Sequence, residues 1–300
     1  MTKTRLFFAL AFAALCALHS PAAAQDAKPR PRASVAVLDF GETQMGLRAA
    51  DELWDALKAE HEDASFRMMP RGAARAAAKG AGYTGSLNLS LEEARDLAAA
   101  LGCNFFFTGA ADTVPRQPAG RPVHYESYAT VFLVSAFTGR LVMWEHLSAE
   151  AATAAEAEKS LVEKFRARSA DYAKAFKAAR ESEREEHRVR VEQDTPVIEE
   201  VPSEESPEAK RFRVPLPYRR LRPDYTEAAA RANAEAVVDA LVELDEGGEV
   251  RSVEIVRWAG YGLDESVART IRQMHFRPAL RDGKPVPVRA LLRYNFRRPK

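Results

Sequence analysis

Once residues 1–24 are set aside, the side chains that could do chemistry are few: His61, His124, His146, His187, His275, Cys103 and some carboxylates. A zinc-type site needs His, Cys or carboxylate ligands at short fixed spacings, such as HExxH on one helix face. These histidines are scattered, and at best His124 and His146 approach each other across a hairpin, so no metal is expected. Gly80-Ala81-Gly82-Tyr83-Thr84-Gly85 fits GxGxxG. The dinucleotide fingerprint, however, needs a strand before its glycines and a helix opening on them. Here an alanine-rich helix precedes and the next helix is capped later, at Ser90, so the run reads as a helix-to-helix connection and no cofactor is expected. Asp39 and Glu42 flank the end of the first strand, where α/β sheets bind ligands; helix capping accounts for them equally and is the preferred reading. Cys103 lies between a helix pattern and an apolar strand, the setting of a buried structural thiol rather than a reactive one. No GxSxG elbow is present and no Ser-His-Asp set can be argued from spacing. No catalytic residue is assigned; a concealed active site in the α/β region is the alternative.

The elements that would position such residues alternate. Ser34–Phe40 is a short apolar strand, and Leu47, Ala50, Leu53, Trp54 and Leu57 then fall on one helical face. Residues 64–69 read as a second strand and residues 71–80 as a short helix stopped by glycines. Ser90 with Glu93 forms a capping box for a helix to Leu101. Asn104–Ala110 is a third strand, and residues 125–136 and 140–146 make a hairpin about Phe137-Thr138-Gly139. The order βαβαβββ predicts an α/β domain over about residues 33–149.

Residues 150–193 change in texture. Leu161, Phe165, Tyr172 and Phe176 recur at helical spacing and should pack on the preceding sheet. Beyond Ala179 acids match bases with almost no apolar face, as in a solvated helix or frayed tail. That balance, with a whole-chain formal charge of +1, argues against nucleic acid as a partner. Residues 194–218 are rich in Pro and Glu and read as an extended linker between two domains.

Residues 219–300 form the second unit. Val238–Leu244 and Val250–Val256 alternate as strands about a turn at Glu246-Gly247-Gly248. Leu263, Val267, Ile271 and Met274 share one face of the following helix, which has Asp264 near its N-terminus. Val288–Phe296 closes a ββαβ unit, a small α+β domain with one helix over one face of a three-stranded sheet.

The ordered set "RPDYTEAAARANAEAVV", "LDEGGEVRSVEIVRWAG" and "LDESVARTIRQMHFRPALRDGKPVPVRALLRYNF", spanning roughly Leu221–Arg298, resembles the C-terminal domain of the TonB family of energy transducers. Thr226 replaces the family's usual second proline, Ala236 a glycine, and His275 a common aromatic. The resemblance implies binding of outer-membrane transporters or other envelope proteins, whose short segment adds to the last strand as in β-augmentation. The residues so implicated are Pro223, Tyr225, Val288, Ala290, Leu292, Tyr294 and Phe296. Two other readings of that edge stay open: self-pairing into a homodimer, and no use at all, with its arginines protecting it. The 33–149 region is more loosely similar to the N-terminal domain of TolB and to CsgG-like envelope domains, through "SVAVLDF", "LNLSLEEARDLAAALGCNFFFTGA" and the Tyr128–Trp144 hairpin. That similarity implies protein binding rather than catalysis.

Residues 1–24 have the parts of a secretory signal: Lys3 and Arg5, the apolar run Leu6–Leu18, and Ala22-Ala23-Ala24 before cleavage. The run meets His19, Ser20 and Pro21 short of the ~20 apolar residues a span needs. Cleavage would leave a periplasmic adaptor with no membrane span and Cys103 as its lone cysteine. An uncleaved segment would make an anchored inner-membrane transducer instead.

Overall fold

A computed structural model describes residues 33–61, 66–117, 120, 122–192, 198–203 and 205–298. The expected signal segment lies outside them, as do the side chains of His61 and His187. The first lobe is built on β1 (Ala33–Val37), α1 (Gln44–His61), β2 (Phe66–Met68), α2 (Arg71–Gly80), α3 (Leu91–Leu101), β3 (Phe105–Arg116), β4 (His124–Ser135), β5 (Leu141–Ala151) and α4 (Ala154–Glu192). Its sheet order is β2-β1-β3-β4-β5, with the first three strands parallel and the last two antiparallel.

Strand period 2 sends successive residues to opposite faces, and both faces here are covered. Phe105 and Phe107 pack with α1 and α4 through Leu53, Leu57, Phe165, Tyr172 and Phe176. Phe106, Ala36 and Phe132 point the other way, onto Ala74, Ala94, Leu97 and Leu101 of α2 and α3. Apolar runs such as "NFFFTGA" therefore belong to strands buried on both sides. The Ser90–Glu93 capping box is formed, and Gly102 ends α3 in the left-handed conformation.

The 39-residue α4 is one continuous helix of about 58 Å at ~1.5 Å per residue. Its polar half is not a frayed tail. Glu183 is bonded to Ser135, and Glu186 pairs with Arg140 at 3.1 Å, so both hold that half against the β4–β5 turn.

The second lobe comprises β6 (Glu199–Glu200), a 3-10 turn at Pro207–Arg211, β7 (Phe212–Arg213), β8 (Leu216–Pro217), α5 (Glu227–Ala232), β9 (Ala236–Leu244), β10 (Val250–Arg257), α6 (Leu263–Arg272), β11 (Phe276–Arg277), β12 (Ala279–Arg281), β13 (Lys284–Val286) and β14 (Val288–Phe296). Its main sheet runs β10-β9-β14-β6. Helix α6 covers one face with Leu263, Val267 and Ile271 against Val238, Ala240 and Val242. The described residues of the Pro/Glu-rich stretch, apart from the 3-10 turn at Pro207–Arg211, lie along this lobe as short strands. There β6 pairs with β14, β7 with β12 and β8 with β11.

The two lobes are joined by more than chain connectivity, and Arg32–Lys300 is one compact unit. Trp258, at the end of β10, is 2% exposed and belongs to the core of the first lobe, 5.8 Å from Phe132 between ring centres. Its indole Nε1–H donates to Gly139 C=O (3.1 Å) and its backbone N–H to Leu89 C=O (3.1 Å). Asn88 acts as a surrogate strand: its side-chain amide donates to Val237 C=O (2.8 Å) and Trp258 C=O (2.6 Å), while its Oδ1 accepts from Val237 N–H (2.9 Å). Arg257 pairs with Glu93 (2.8 Å) and Arg140 with Glu254 (2.6 Å) around this contact. Gly260 (φ +72°) passes so close to the Phe132 ring that a Cβ would sit 2.3 Å from it.

Candidate docking edge

The residues first suspected of chemistry have structural partners. Asp39 does not cap α1; Thr43 does, accepting from Gly46 N–H at 2.9 Å. Asp39 instead takes Arg71 (2.6 Å) and both arms of Arg75 (2.7 and 3.0 Å). Its pKa stays below the usual carboxylate value because these guanidiniums outweigh the upward push of burial, the largest single contribution. The 80–85 run joins α2 to α3, with Gly82 and Gly85 at positive φ. Tyr83, Thr84 and Gly85 nevertheless line a cleft of ≈ 630 Å³ together with Asp39 and Glu42. Burial pushes the Cys103 thiol up to about 12, so it is an unreactive core group. His124 and His146 do not meet: His146 lies opposite Thr130, six positions along β4 from His124. Among the described residues no three His, Cys, Asp or Glu side chains gather as metal ligands.

The feature left without a partner is an edge. Strand β14 pairs on one side with β9 over its whole length, Val288 with Leu244 through to Phe296 with Ala236. On the other side β6 covers only Val288 and Arg289, in parallel. The Arg289 carbonyl accepts from Val201 N–H at 3.3 Å, which puts the Arg289 backbone on the outward side. Alternation then turns the N–H and C=O groups of Leu291, Arg293 and Asn295 outward as well. No strand pairs with them among the described residues. Such a row of unpaired backbone groups is a template for an added strand.

Beside the free stretch runs a groove of ≈ 270 Å³. It is bounded by Leu216, Pro217 and Leu221 on one side and Ala290, Leu292 and Tyr294 on the other, with Met274 and Phe276 also lining it. Every second side chain of an incoming strand would meet this groove, which Arg293 lines as well. Arg220 also lines it.

The sequence-based site residues divide accordingly. Ala290, Leu292 and Tyr294 are brought together at the groove. Val288 is fully buried, within the stretch that β6 already covers. Phe296 is buried beside Tyr225, 6.4 Å between ring centres. The Tyr225 hydroxyl shares its one proton between Ala234 C=O (2.9 Å) and Ala229 C=O (3.1 Å), so it fastens the end of α5. Pro223 sits half-buried in the segment leading to α5. Sequence reading missed Leu291, Arg293 and Asn295, whose backbone does the presenting. The parity of the strand was the available signal: residues with side chains toward α6 turn their amides toward β9.

The arginines of this strand pair across to β9. Arg293 makes a two-pronged pair with Asp239 (2.7 and 2.9 Å), and Arg289 pairs with Glu243 directly across on β9. Leu291, flanked by these pairs, is 55% exposed.

Residues 222–297 match the family model described as the Gram-negative bacterial TonB protein C-terminal. Among solved structures, the Pseudomonas aeruginosa TonB C-terminal domain is similar at 22% identity, covering 29% of this chain and 88% of its own, with a TM-score of 0.25. The LpoB C-terminal domain from Salmonella enterica shows 14% identity over 39% of this chain and 81% of its own (TM-score 0.28). Lipoprotein GNA1162 from Neisseria meningitidis shows 14% identity over 40% and 84% (TM-score 0.30). No curated protein matches the chain significantly. The overlays are partial, and the assignment rests on the family model.

Proposed function

Taking residues 222–297 as a TonB C-terminal domain, we propose that this chain is a non-enzymatic, protein-binding component of the cell envelope that receives an extended segment of a partner on β14. The observation carrying the reading is the free run from Ala290 to Phe296 beside an apolar groove. An added strand would bond the backbone of Leu291, Arg293 and Asn295 and drop alternate apolar side chains into the groove. The partner we favour is an outer-membrane transporter presenting a short periplasmic segment. The reading places the mature protein in the periplasm after cleavage near Ala24, which mass spectrometry of its first residue tests: a Gln25 start agrees, and an intact Met1 or Thr2 start means an anchored transducer. No helix among the described residues is long and apolar enough to cross a membrane. In this scheme the first lobe holds the docking domain in one orientation and offers a second protein-binding surface.

A photoreactive residue at Leu291 in cells tests the docking edge. Capture of an outer-membrane transporter, lost on Leu291→Pro or Arg293→Pro, supports the adaptor. Capture of only the same chain would mean a self-associating envelope protein, and no capture would mean the edge is unused.

A further inference from the structure

The start of the β14 outer edge is occupied by the chain itself. Glu199 and Glu200 lie parallel to Val288 and Arg289, and the outward carbonyl of Arg289 bonds Val201. Arg289 belongs to the same outward series as Leu291, Arg293 and Asn295, so β6 uses the ladder that an added strand would use. We propose that residues Ile198–Val201 are an exchangeable resident of this edge, a tethered competitor that an incoming acidic, extended segment displaces to gain its full length. The proposal deepens the docking reading above and rests on it for its biological meaning.

Three observations support exchange rather than permanent closure. First, the attachment among the described residues is short: two residues in register, a 3.3 Å hydrogen bond at Val201, and an ion pair from Glu199 to Arg281 (2.6 Å) with both side chains about one-third exposed. A ladder this short is marginal without other packing, and Val201 is its main apolar contact with the lobe core. Second, the chain leaves the edge soon afterwards, through a turn in which Ser206 N–H donates to Ser203 C=O (2.9 Å), so β6 does not extend over Leu291. Third, the resident shows what the edge accepts: an extended segment with glutamates, one of which pairs with Arg281.

Tethering gives such a segment an effective concentration of about millimolar. A free segment must therefore compete, and its apparent affinity is scaled down to the fraction of time the edge is free of β6. Release of β6 adds Arg289 to the three free outward residues.

The test uses the full chain and needs no partner. A synthetic peptide copying residues 196–203 is titrated at millimolar excess into the 15N-labelled protein, and the Arg289 and Leu291 amides are followed. In the Glu199→Pro/Glu200→Pro variant, half-saturation should fall about tenfold relative to the unaltered chain. Arg281→Ala leaves the β6 backbone intact and should move it in the same direction by less. Amide exchange in the unaltered chain should be about a hundredfold faster at Val201 than at Val242 in the β9–β14 ladder. Equal half-saturation in all three proteins, absence of any shift at Arg289, or equally slow exchange at Val201 would overturn the proposal. Failed capture at Leu291 would remove the docking reading without altering this titration, so the two can fail separately.

Discussion

The indole N–H of Trp258 donates to the carbonyl of Gly139, 3.1 Å away across 119 residues of chain. The donor belongs to the second lobe and the acceptor to the β4–β5 turn of the first lobe. Gly139 sits at φ +71°, and a Cβ there would lie 2.1 Å from the Leu91 carbonyl oxygen, so the turn is pressed against the start of α3. One side chain thus completes the core of a domain to which it does not belong in sequence.

Replacing Trp258 by Ala should therefore destabilise both lobes together. Truncating a buried aromatic typically costs about 3–5 kcal/mol. Trp258→Phe keeps most of the packing and loses the hydrogen bond, so its cost should be nearer 1 kcal/mol. Chemical denaturation checks the order, and limited proteolysis should show cleavage between the lobes first in Trp258→Ala. Unchanged proteolysis would mean the lobes hold without this residue.

Asn88 offers a finer test of the same interface. Its Ala variant leaves Val237 and Trp258 with unpaired backbone groups at a buried seam, a loss of about 1–3 kcal/mol. Asn88→Asp should be as harmful, because a carboxylate can accept from Val237 N–H but cannot donate to the two carbonyls. Equal stability of Asn88→Asp and the unaltered chain in denaturant melts would refute this account.

Asp264 should give the second lobe a pH dependence. Its carboxylate accepts from Ala259 N–H (2.8 Å) and Gly260 N–H (2.9 Å) and so shapes the loop that carries Trp258 inward. Burial pushes its pKa up to about 7 against the downward pull of those two bonds. A carboxyl raised in the folded state contributes stability that is fully present below its unfolded value near 3.8 and is lost as pH rises through about 7. Between those limits the unaltered chain should lose stability relative to Asp264→Asn, by a few kcal/mol as an order of magnitude. Melts of the two proteins across pH 4–7 check the slope of the difference.

His146 should act in the opposite direction. It is bonded to Thr130 (2.9 Å) with the Tyr128 ring nearby, and burial lowers its pKa, with Glu126 raising it and Arg231 from α5 lowering it. A histidine depressed in the fold favours the folded state above its unfolded value of 6.5 and costs stability as pH falls below that. His146→Gln should remove this acid-side loss, seen as a flatter melting temperature below pH 6.5. NMR titration of the imidazole would contradict the prediction if its pKa exceeded 6.5.

The strands and helices were legible because their signals are local. The triple phenylalanine of β3, the Ser90–Glu93 cap and the apolar face of α6 need only near neighbours to declare themselves. Strand β14 was legible as a strand, and Ala290, Leu292 and Tyr294, which the resemblance singled out, line the groove beside it. Leu291, Arg293 and Asn295 were not singled out, because side-chain patterns report which face is buried and say nothing directly about which way the amides point. Asp39 was read as a cap since capping is a local habit, whereas its partners Arg71 and Arg75 come from the next helix but one strand away.

The sequence by itself determined the element types, the placement of a TonB-type domain over the last quarter of the chain, and the lack of any recognisable catalytic motif. The element types follow from periodicity, turn residues and spacing within a few dozen positions, and the TonB-type placement follows from the resemblance of an ordered set of segments. Only the tertiary structure decided that Trp258 plugs a distant core, that α4 stays helical because Ser135 and Arg140 hold its polar half, and that β6 closes the first two positions of β14. Those depend on pairings across tens to more than a hundred residues. Their energies come from excluding water and satisfying backbone groups at a shared seam, a condition no local pattern records.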